Sequence, residues 1–215
     1  MAQAKLAKID YSIYLVTDEA CLHGRQLLPC VDAALRGGVT LVQYRSKNAD
    51  GGKMYSEALA LKDLCDKYNV PLIINDRLDI AQAVGAAGVH IGQDDIPCAT
   101  ARRVLGNGYV IGVSAHNADE ARQAEAGGAD YLGCGAVFGS VTKTNVTNMG
   151  LANLAAIRKA TALPMVGIGG VNAANYASVL NAGADGAAIV SAILGAENIE
   201  RAVRQFVDAR DNFNK

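Results

Sequence analysis

The chain has 215 residues, of which 51% are hydrophobic and 23 are glycine, and its formal net charge is −1. This composition predicts a folded core, and the charge excludes a general attraction to nucleic acid or to an anionic membrane. No apolar run approaches the ~20 residues that span a bilayer, and the start of the chain lacks the apolar segment of a signal peptide. We therefore expect a cytoplasmic protein with small-molecule partners; the sequence leaves a homo-oligomer open.

Short strand-like runs alternate with helix-length amphipathic segments along the chain. The predicted strands are 13–17, 39–44, 72–74, 88–91, 109–114, 131–135, 164–170 and 185–190. The predicted helices are 25–36, 50–68, 77–86, 99–105, 117–126, 151–160, 172–181 and 191–206. Eight strand–helix units predict a single-domain α/β protein, a (β/α)8 TIM barrel over 1–215 with its core at about 11–206. An open doubly wound sheet is the alternative that the same alternation allows.

Polar side chains follow two neighbouring strands of this barrel. Asn75 and Asp76 come where the third strand ends, and Asp94 and Asp95 follow the fourth. Because the carboxyl ends of parallel strands lie at one end of a barrel, Asp76 and Asp95 are expected to lie together, and their oxygens suit Mg²⁺. Each aspartate alone could equally cap a helix, and Asp94 competes with Asp95 for the metal.

The second strand ends in a cationic segment. Gln43, Arg45 and Lys47 occupy alternate positions and share one side if the extended geometry persists, which suits a polyanion. The alternative is an ordinary solvated loop. Ser114, at the end of the fifth strand, could bind a substrate or its own turn.

Two further segments favour phosphate. The loop 136–150 carries the hydroxyls of Ser140 and Thr142 beside Lys143, although it could be only a surface loop. After the seventh and eighth strands, the glycines at 167–170 and the residues Val190 and Ser191 allow backbone N–H groups to approach a phosphate.

The cysteines and histidines give weaker signals. The five cysteines are scattered without a C-x-x-C pair, which predicts free thiols rather than disulfides or a zinc site. His23 and His90 are predicted to be ordinary surface or core residues, whereas His116 lies close enough to Ser114 to matter.

The ordered set of motifs resembles the thiamine-phosphate synthase family over about residues 11–206. The motifs are YLVTD at 14–18, QYRSK at 43–47, INDR at 74–77, GVHIGQDD at 88–95, GVSAH at 112–116, TK at 142–143 and GIGG at 167–170. The resemblance implies a transferase that joins hydroxymethylpyrimidine diphosphate to a thiazole phosphate, releases pyrophosphate and uses Mg²⁺. Tyr44 and Ser46 depart from the family pattern, where an aliphatic and an acidic residue are common, and this puts the packing of their loop in question.

The resemblance also implies a role for each matching position. The pyrimidine diphosphate would be bound by Gln43, Arg45, Lys47, Asn75, Ser114 and Lys143, with Arg45, Lys47, Ser114 and Lys143 as catalytic residues. The metal would be bound by Asp76 and Asp95. The thiazole phosphate would be bound by Ser140, Val141, Thr142, Gly170, Val190 and Ser191. The competing interpretations are a thiazole tautomerase that uses a histidine near His116, and a non-catalytic sensor on the same barrel.

Overall fold

The structure is a computed structural model that describes residues 9–139 and 149–213. Its strands are β1 (Ile13–Val16), β2 (Leu41–Tyr44), β3 (Leu72–Asn75), β4 (Gly88–Ile91), β5 (Val110–Ala115), β6 (Tyr131–Gly135), β7 (Met165–Ile168) and β8 (Gly186–Ile189). Its helices are α1 (Leu27–Gly37), α2 (Gly51–Lys67), α3 (Leu78–Val84), α4 (Cys98–Leu105), α5 (Ala118–Ala126), α6 (Gly150–Ala160), α7 (Tyr176–Asn181), α8 (Ser191–Leu194) and α9 (Ile199–Phe213). Short 3-10 helices occupy Glu19–Leu22 and Gly106–Gly108.

The strands close into a barrel in which every neighbouring pair is parallel and β1 pairs with β8. The predicted (β/α)8 barrel is therefore confirmed, and the open doubly wound sheet is wrong because the strands follow one another in chain order and the β1–β8 pair closes the sheet, which leaves no edge strand. Register places Tyr14 beside Leu41, Gln43 beside Ile73, and Asn75 beside His90. Within the described ranges, no helix is long and apolar enough to cross a membrane.

The core has two layers because successive strand residues point to opposite faces. The larger layer lies between the strands and the helices, and includes Ile13 and Leu15 of β1. The smaller layer fills the barrel and consists of Tyr14, Val16, Leu41, Ile73, Val110, Tyr131, Val166 and Ala188. All five cysteines lie in the described residues and are free, as predicted.

Two helix predictions were wrong in their bounds, and side-chain hydrogen bonds explain both. The segment predicted as one helix over 191–206 is α8 and α9, because Asn198 begins a new helix by accepting a hydrogen bond from the backbone N–H of Arg201 at 2.9 Å. The helix predicted to begin at 172 begins at Tyr176, because Asn172 closes a turn on the N–H of Ala174 at 3.0 Å.

Candidate active site

The pocket at the carboxyl ends of the strands has two chemically different walls. One wall is polar, because the last inward-facing positions of four consecutive strands, β2 to β5, are Gln43, Asn75, His90 and Ser114. The other wall is small and apolar, and its inward-facing positions on β6 to β8 are Gly133, Gly135, Ile168 and Ala188. The pocket can therefore hold a flat ring between a hydrogen-bonding wall and an apolar wall.

The polar wall leaves hydrogen-bonding groups for a ligand. Gln43 is only 4% exposed, and its amide nitrogen donates to the Tyr14 hydroxyl at 2.7 Å. Among the residues that the structure describes, the Gln43 amide oxygen and the Asn75 side chain have no hydrogen-bond partner. Because Asn75 is only 8% exposed, these amide groups are predicted to be satisfied by whatever binds in the pocket.

Arg45 is held in the pocket by the end of β1. Its guanidinium Nη1 donates to Oδ2 of Asp18 at 2.7 Å, and both side chains are less than one-fifth exposed. The Thr17 hydroxyl accepts from the Arg45 backbone N–H at 2.9 Å and donates to its carbonyl at 3.2 Å. These bonds orient the guanidinium toward the pocket and supply a fixed cation for an anionic group.

Lys47, Asp76 and Asp95 form a second charged group beside Arg45. Lys47 Nζ lies 2.5 Å from Asp76 Oδ2, and Asp95 Oδ2 accepts from the Gly92 backbone N–H at 2.7 Å. Burial is the main cause that raises the pKa of Asp95; the hydrogen bond from the Gly92 N–H opposes it, and the adjacent Asp76 carboxylate raises the pKa further. Two carboxylates that share a site in this way are stabilised by a cation between them.

Asp76 and Asp95 suit Mg²⁺ better than they suit a metal ion whose ligands all come from protein side chains. Outside 1–8, 140–148 and 214–215, no group of three or more histidine, cysteine or acidic side chains could hold a metal. Mg²⁺ commonly uses one or two carboxylates and takes its other ligands from phosphates and water. Of the two neighbouring candidates, Asp95 is the one that interacts with Asp76, while Asp94 is exposed.

The predicted phosphate-binding end is formed by the turn after β7 and the start of α8. Gly169 and Gly170 have φ values of +94° and +66°, and a Cβ at Gly169 would lie 2.5 Å from the Cβ of Ala136. Only glycine therefore fits this turn. Gly170, Val190 and Ser191 all line the pocket, on the side away from Asn75.

The structure brings Gln43, Arg45, Asn75, Ser114, Gly170, Val190 and Ser191 together in one pocket and places Lys47, Asp76 and Asp95 beside it. Ser140, Val141, Thr142 and Lys143 were also predicted for this site, and they lie outside the described residues.

Sequence reasoning missed several residues of the pocket. The sequence predicts an ordinary surface or core residue at His90, but the His90 ring lines the pocket, as do Tyr14, Thr17 and Asp18. His116, which is predicted from the sequence to lie close to Ser114, does line the pocket, and its Nδ1 lies 2.8 Å from Glu120 Oε2.

The unusual Tyr44 is accommodated by the helix that follows it. Tyr44 is 1% exposed, and its hydroxyl donates to Glu57 Oε2 on α2 at 2.6 Å. Burial and Glu57 raise the pKa of Tyr44, so the hydroxyl stays protonated. Tyr44 therefore packs outward against α2 without displacing Arg45.

Fold and site together define a (β/α)8 barrel enzyme whose pocket suits a phosphorylated ring compound. A sequence model described as "Thiamine monophosphate synthase" matches residues 13–193. The chain is 50% identical over 198 residues to the thiamine-phosphate synthase of Chloroflexus aurantiacus, covering 92% of this chain and 91% of that one. It is 45% identical over 202 residues to that of Ruminiclostridium cellulolyticum, covering 94% and 96%. The solved thiamine phosphate pyrophosphorylase from Pyrococcus furiosus superposes with a TM-score of 0.89 at 35% identity, covering 96% and 98%.

The chain belongs to the thiamine monophosphate synthase family, and it is an enzyme, a transferase.

Proposed function

We propose that the chain joins hydroxymethylpyrimidine diphosphate to a thiazole phosphate, with or without a carboxyl group on the thiazole, and produces thiamine phosphate and pyrophosphate. The observation that carries the proposal is the arrangement of one pocket. A polar wall on β2 to β5 lies beside the charged groups of Arg45, Lys47 and the paired aspartates, and the turn at Gly170 lies opposite.

The polar wall is suited to the aminopyrimidine ring. An aminopyrimidine presents an amino donor next to a ring-nitrogen acceptor, and an amide such as that of Gln43 offers the complementary pair. The side chain of Asn75, which has no hydrogen-bond partner among the described residues, and the hydroxyl of Ser114 lie on the same wall. These residues hold the pyrimidine with its methylene facing the pocket interior.

The charged groups are suited to the diphosphate. Arg45 and Lys47 bind its oxygens, and Lys143, outside the described residues, is proposed to join them. Asp76 and Asp95 would hold Mg²⁺, which supplies positive charge to the departing pyrophosphate. Fixed cations that face a developing anion lower the barrier to its departure.

The reaction then needs no protein nucleophile. The bond between the pyrimidine methylene carbon and the diphosphate oxygen breaks first, and its electron pair leaves with pyrophosphate. The aminopyrimidine stabilises the resulting cation, and the thiazole nitrogen lone pair forms the new carbon–nitrogen bond. Gly170, Val190 and Ser191, with Ser140, Val141 and Thr142, hold the thiazole phosphate at the opposite end.

The first test is pyrophosphate release from the pyrimidine diphosphate, with and without thiazole phosphate and with and without Mg²⁺. We expect release only when all three are present, with thiamine phosphate as the co-product. No release from folded protein would refute the proposal, and isomerisation of a thiazole phosphate instead would identify a tautomerase.

Neighbouring carboxylates offer a matched test of the metal site. We expect Asp95→Asn to lower turnover at least tenfold and to weaken Mg²⁺ binding measured by calorimetry in the presence of pyrophosphate. Asp94→Asn removes the same charge from an exposed neighbour and should leave both within about twofold. Equal effects of the two substitutions would remove Asp95 from the metal site.

A further inference from the structure

We propose that Tyr14, Tyr131 and His90 form a hydrogen-bonded relay inside the barrel that fixes which groups Gln43 and Ser114 present to the substrate. The three act as positioning residues, and the roles of Gln43 and Ser114 in this inference rest on the proposed function. The relay itself is a property of the folded chain and can be tested without any substrate.

The relay connects the two ends of the polar wall. The Gln43 amide nitrogen lies 2.7 Å from the Tyr14 hydroxyl, which lies 2.8 Å from the Tyr131 hydroxyl. The Tyr131 hydroxyl lies 3.0 Å from His90 Nδ1, and His90 Nε2 lies 3.1 Å from the Ser114 hydroxyl. Four hydrogen bonds thus link β2 to β5 through β1, β6 and β4.

The chemistry of the first donor sets the direction of the relay. An amide nitrogen can only donate, so the Tyr14 oxygen accepts from Gln43 and its proton goes to Tyr131. Burial raises the pKa of both tyrosine hydroxyls, so each is neutral and has one proton to give. Tyr131 then donates to His90 Nδ1, which leaves the proton of a neutral imidazole on Nε2, facing Ser114.

Reversing a single link would leave a buried proton without an acceptor. Tyr14 is 1% exposed and Tyr131 is 0% exposed, and the large majority of buried polar side-chain atoms in proteins have a hydrogen-bond partner. The relay therefore changes direction only as a whole, which requires the Gln43 amide to rotate. In the direction set by the Gln43 amide nitrogen, Gln43 offers its oxygen to the pocket, and Ser114 keeps its own proton to donate.

Two glycines provide independent support, because they make room for the rings of the relay. A Cβ at Gly112 would lie 2.1 Å from Cζ of Tyr131, and a Cβ at Gly133 would lie 2.8 Å from Cε1 of His90. A glycine inside a strand often marks the close approach of another group. Neither ring can occupy its position unless these two strand positions lack a side chain.

The direction of the relay determines substrate choice. The Gln43 oxygen accepts from an amino group but repels the oxo group of a deaminated pyrimidine. Without the Tyr131 hydroxyl, the Tyr14 hydroxyl has lost the acceptor of its proton. It can donate to the Gln43 amide oxygen instead, but only if the amide rotates and turns its nitrogen to the pocket. Tyr131→Phe is therefore expected to shift the preference from amino toward oxo substrates.

The relay can be tested directly by NMR of protein labelled with ¹⁵N-histidine. We expect His90 at neutral pH to be a neutral ring with its proton on Nε2, and Tyr131→Phe to remove that preference. His23 and His116 variants assign the signals. A His90 proton on Nδ1, or a tautomer unchanged in Tyr131→Phe, would overturn the relay whether or not the chain has synthase activity.

Kinetics then test its consequence for the reaction. We expect Tyr131→Phe to lower kcat/KM for the aminopyrimidine diphosphate about tenfold and to lower the ratio of amino to oxo kcat/KM by at least as much. Tyr176→Phe is the matched control, since its buried hydroxyl donates to the Ser12 carbonyl outside the relay at 2.8 Å. Equal losses in both variants, or an unchanged ratio, would overturn the proposal, whereas an inactive wild-type protein would instead refute the proposed function.

Discussion

Substituting Gly112 by alanine tests the packing that places Tyr131 inside the barrel. The new Cβ would lie 2.1 Å from the ring carbon Cζ, whereas carbon atoms in contact stay about 3.5 Å apart, so the ring must move by about 1.4 Å. Tyr131 is 0% exposed and also contacts the rings of Tyr11 and Tyr14, so the movement is resisted on several sides. Overpacking of this kind costs roughly 1–3 kcal/mol, and this contact belongs at the upper end.

Thermal unfolding measures this cost. For a chain of this size about 3 kcal/mol corresponds to a fall in Tm of roughly 6–12 °C. The matched control is Gly52→Ala on α2, where the Cβ would lie 3.5 Å from Asp50 Oδ1, an ordinary contact. Because alanine favours a helix over glycine by up to ~1 kcal/mol, this control should raise Tm slightly. A Tm in Gly112→Ala equal to that of the wild type would refute the steric argument.

Three further predictions concern the charged and outward-facing parts of the site. Asp18→Asn should lower kcat/KM for the diphosphate substrate about tenfold in steady-state kinetics, because Arg45 loses a charge-assisted hydrogen bond of ~1.5–3 kcal/mol; an unchanged value would contradict this. Because the pKa of Asp95 is raised in the folded protein, the protonated carboxyl stabilises the fold at low pH, and this stabilisation is lost as pH rises through that pKa. Mg²⁺ would compensate for the ionised carboxylate, so Mg²⁺ should raise Tm more at pH 7 than at pH 4. Equal increases in Tm at the two pH values would remove Asp95 from metal binding. Tyr44→Phe should lower Tm by ~3–12 °C, since it loses a hydrogen bond to the Glu57 carboxylate worth ~1.5–3 kcal/mol, and should leave kcat/KM within about twofold. A larger kinetic loss would show that this loop shapes the site.

The barrel could be predicted because its pattern is repeated eight times, and each short buried run is followed by a segment with helical spacing. Helix ends were harder to predict, because a single polar side chain decides them. Asn198 and Asn172 each close a local hydrogen bond that interrupts a segment whose hydrophobic spacing alone would continue as a helix.

The polar positions at strand ends were predictable because Gln43, Asn75 and Ser114 stand out against apolar neighbours. The relay was missed because both faces of a parallel barrel strand are buried, so alternation does not reveal which residues point inward. Tyr14 and Tyr131 therefore resembled ordinary core residues. The signal that could have found them is the pair of glycines inside β5 and β6, which mark space reserved for another side chain.

The charges of the pocket give a physical reason for the proposed metal. In the part of the chain that the structure describes, Arg45 is paired with Asp18 and Lys47 with Asp76, while Asp95 adds a third carboxylate. Two cations facing three carboxylates do not attract a diphosphate, so Arg45 and Lys47 alone cannot explain its binding. A divalent cation held by Asp76 and Asp95 would reverse the local charge and would leave Lys47 available to bind a phosphate oxygen. Under the proposed function, the same carboxylates that would repel the diphosphate in the metal-free protein would make its binding depend on Mg²⁺.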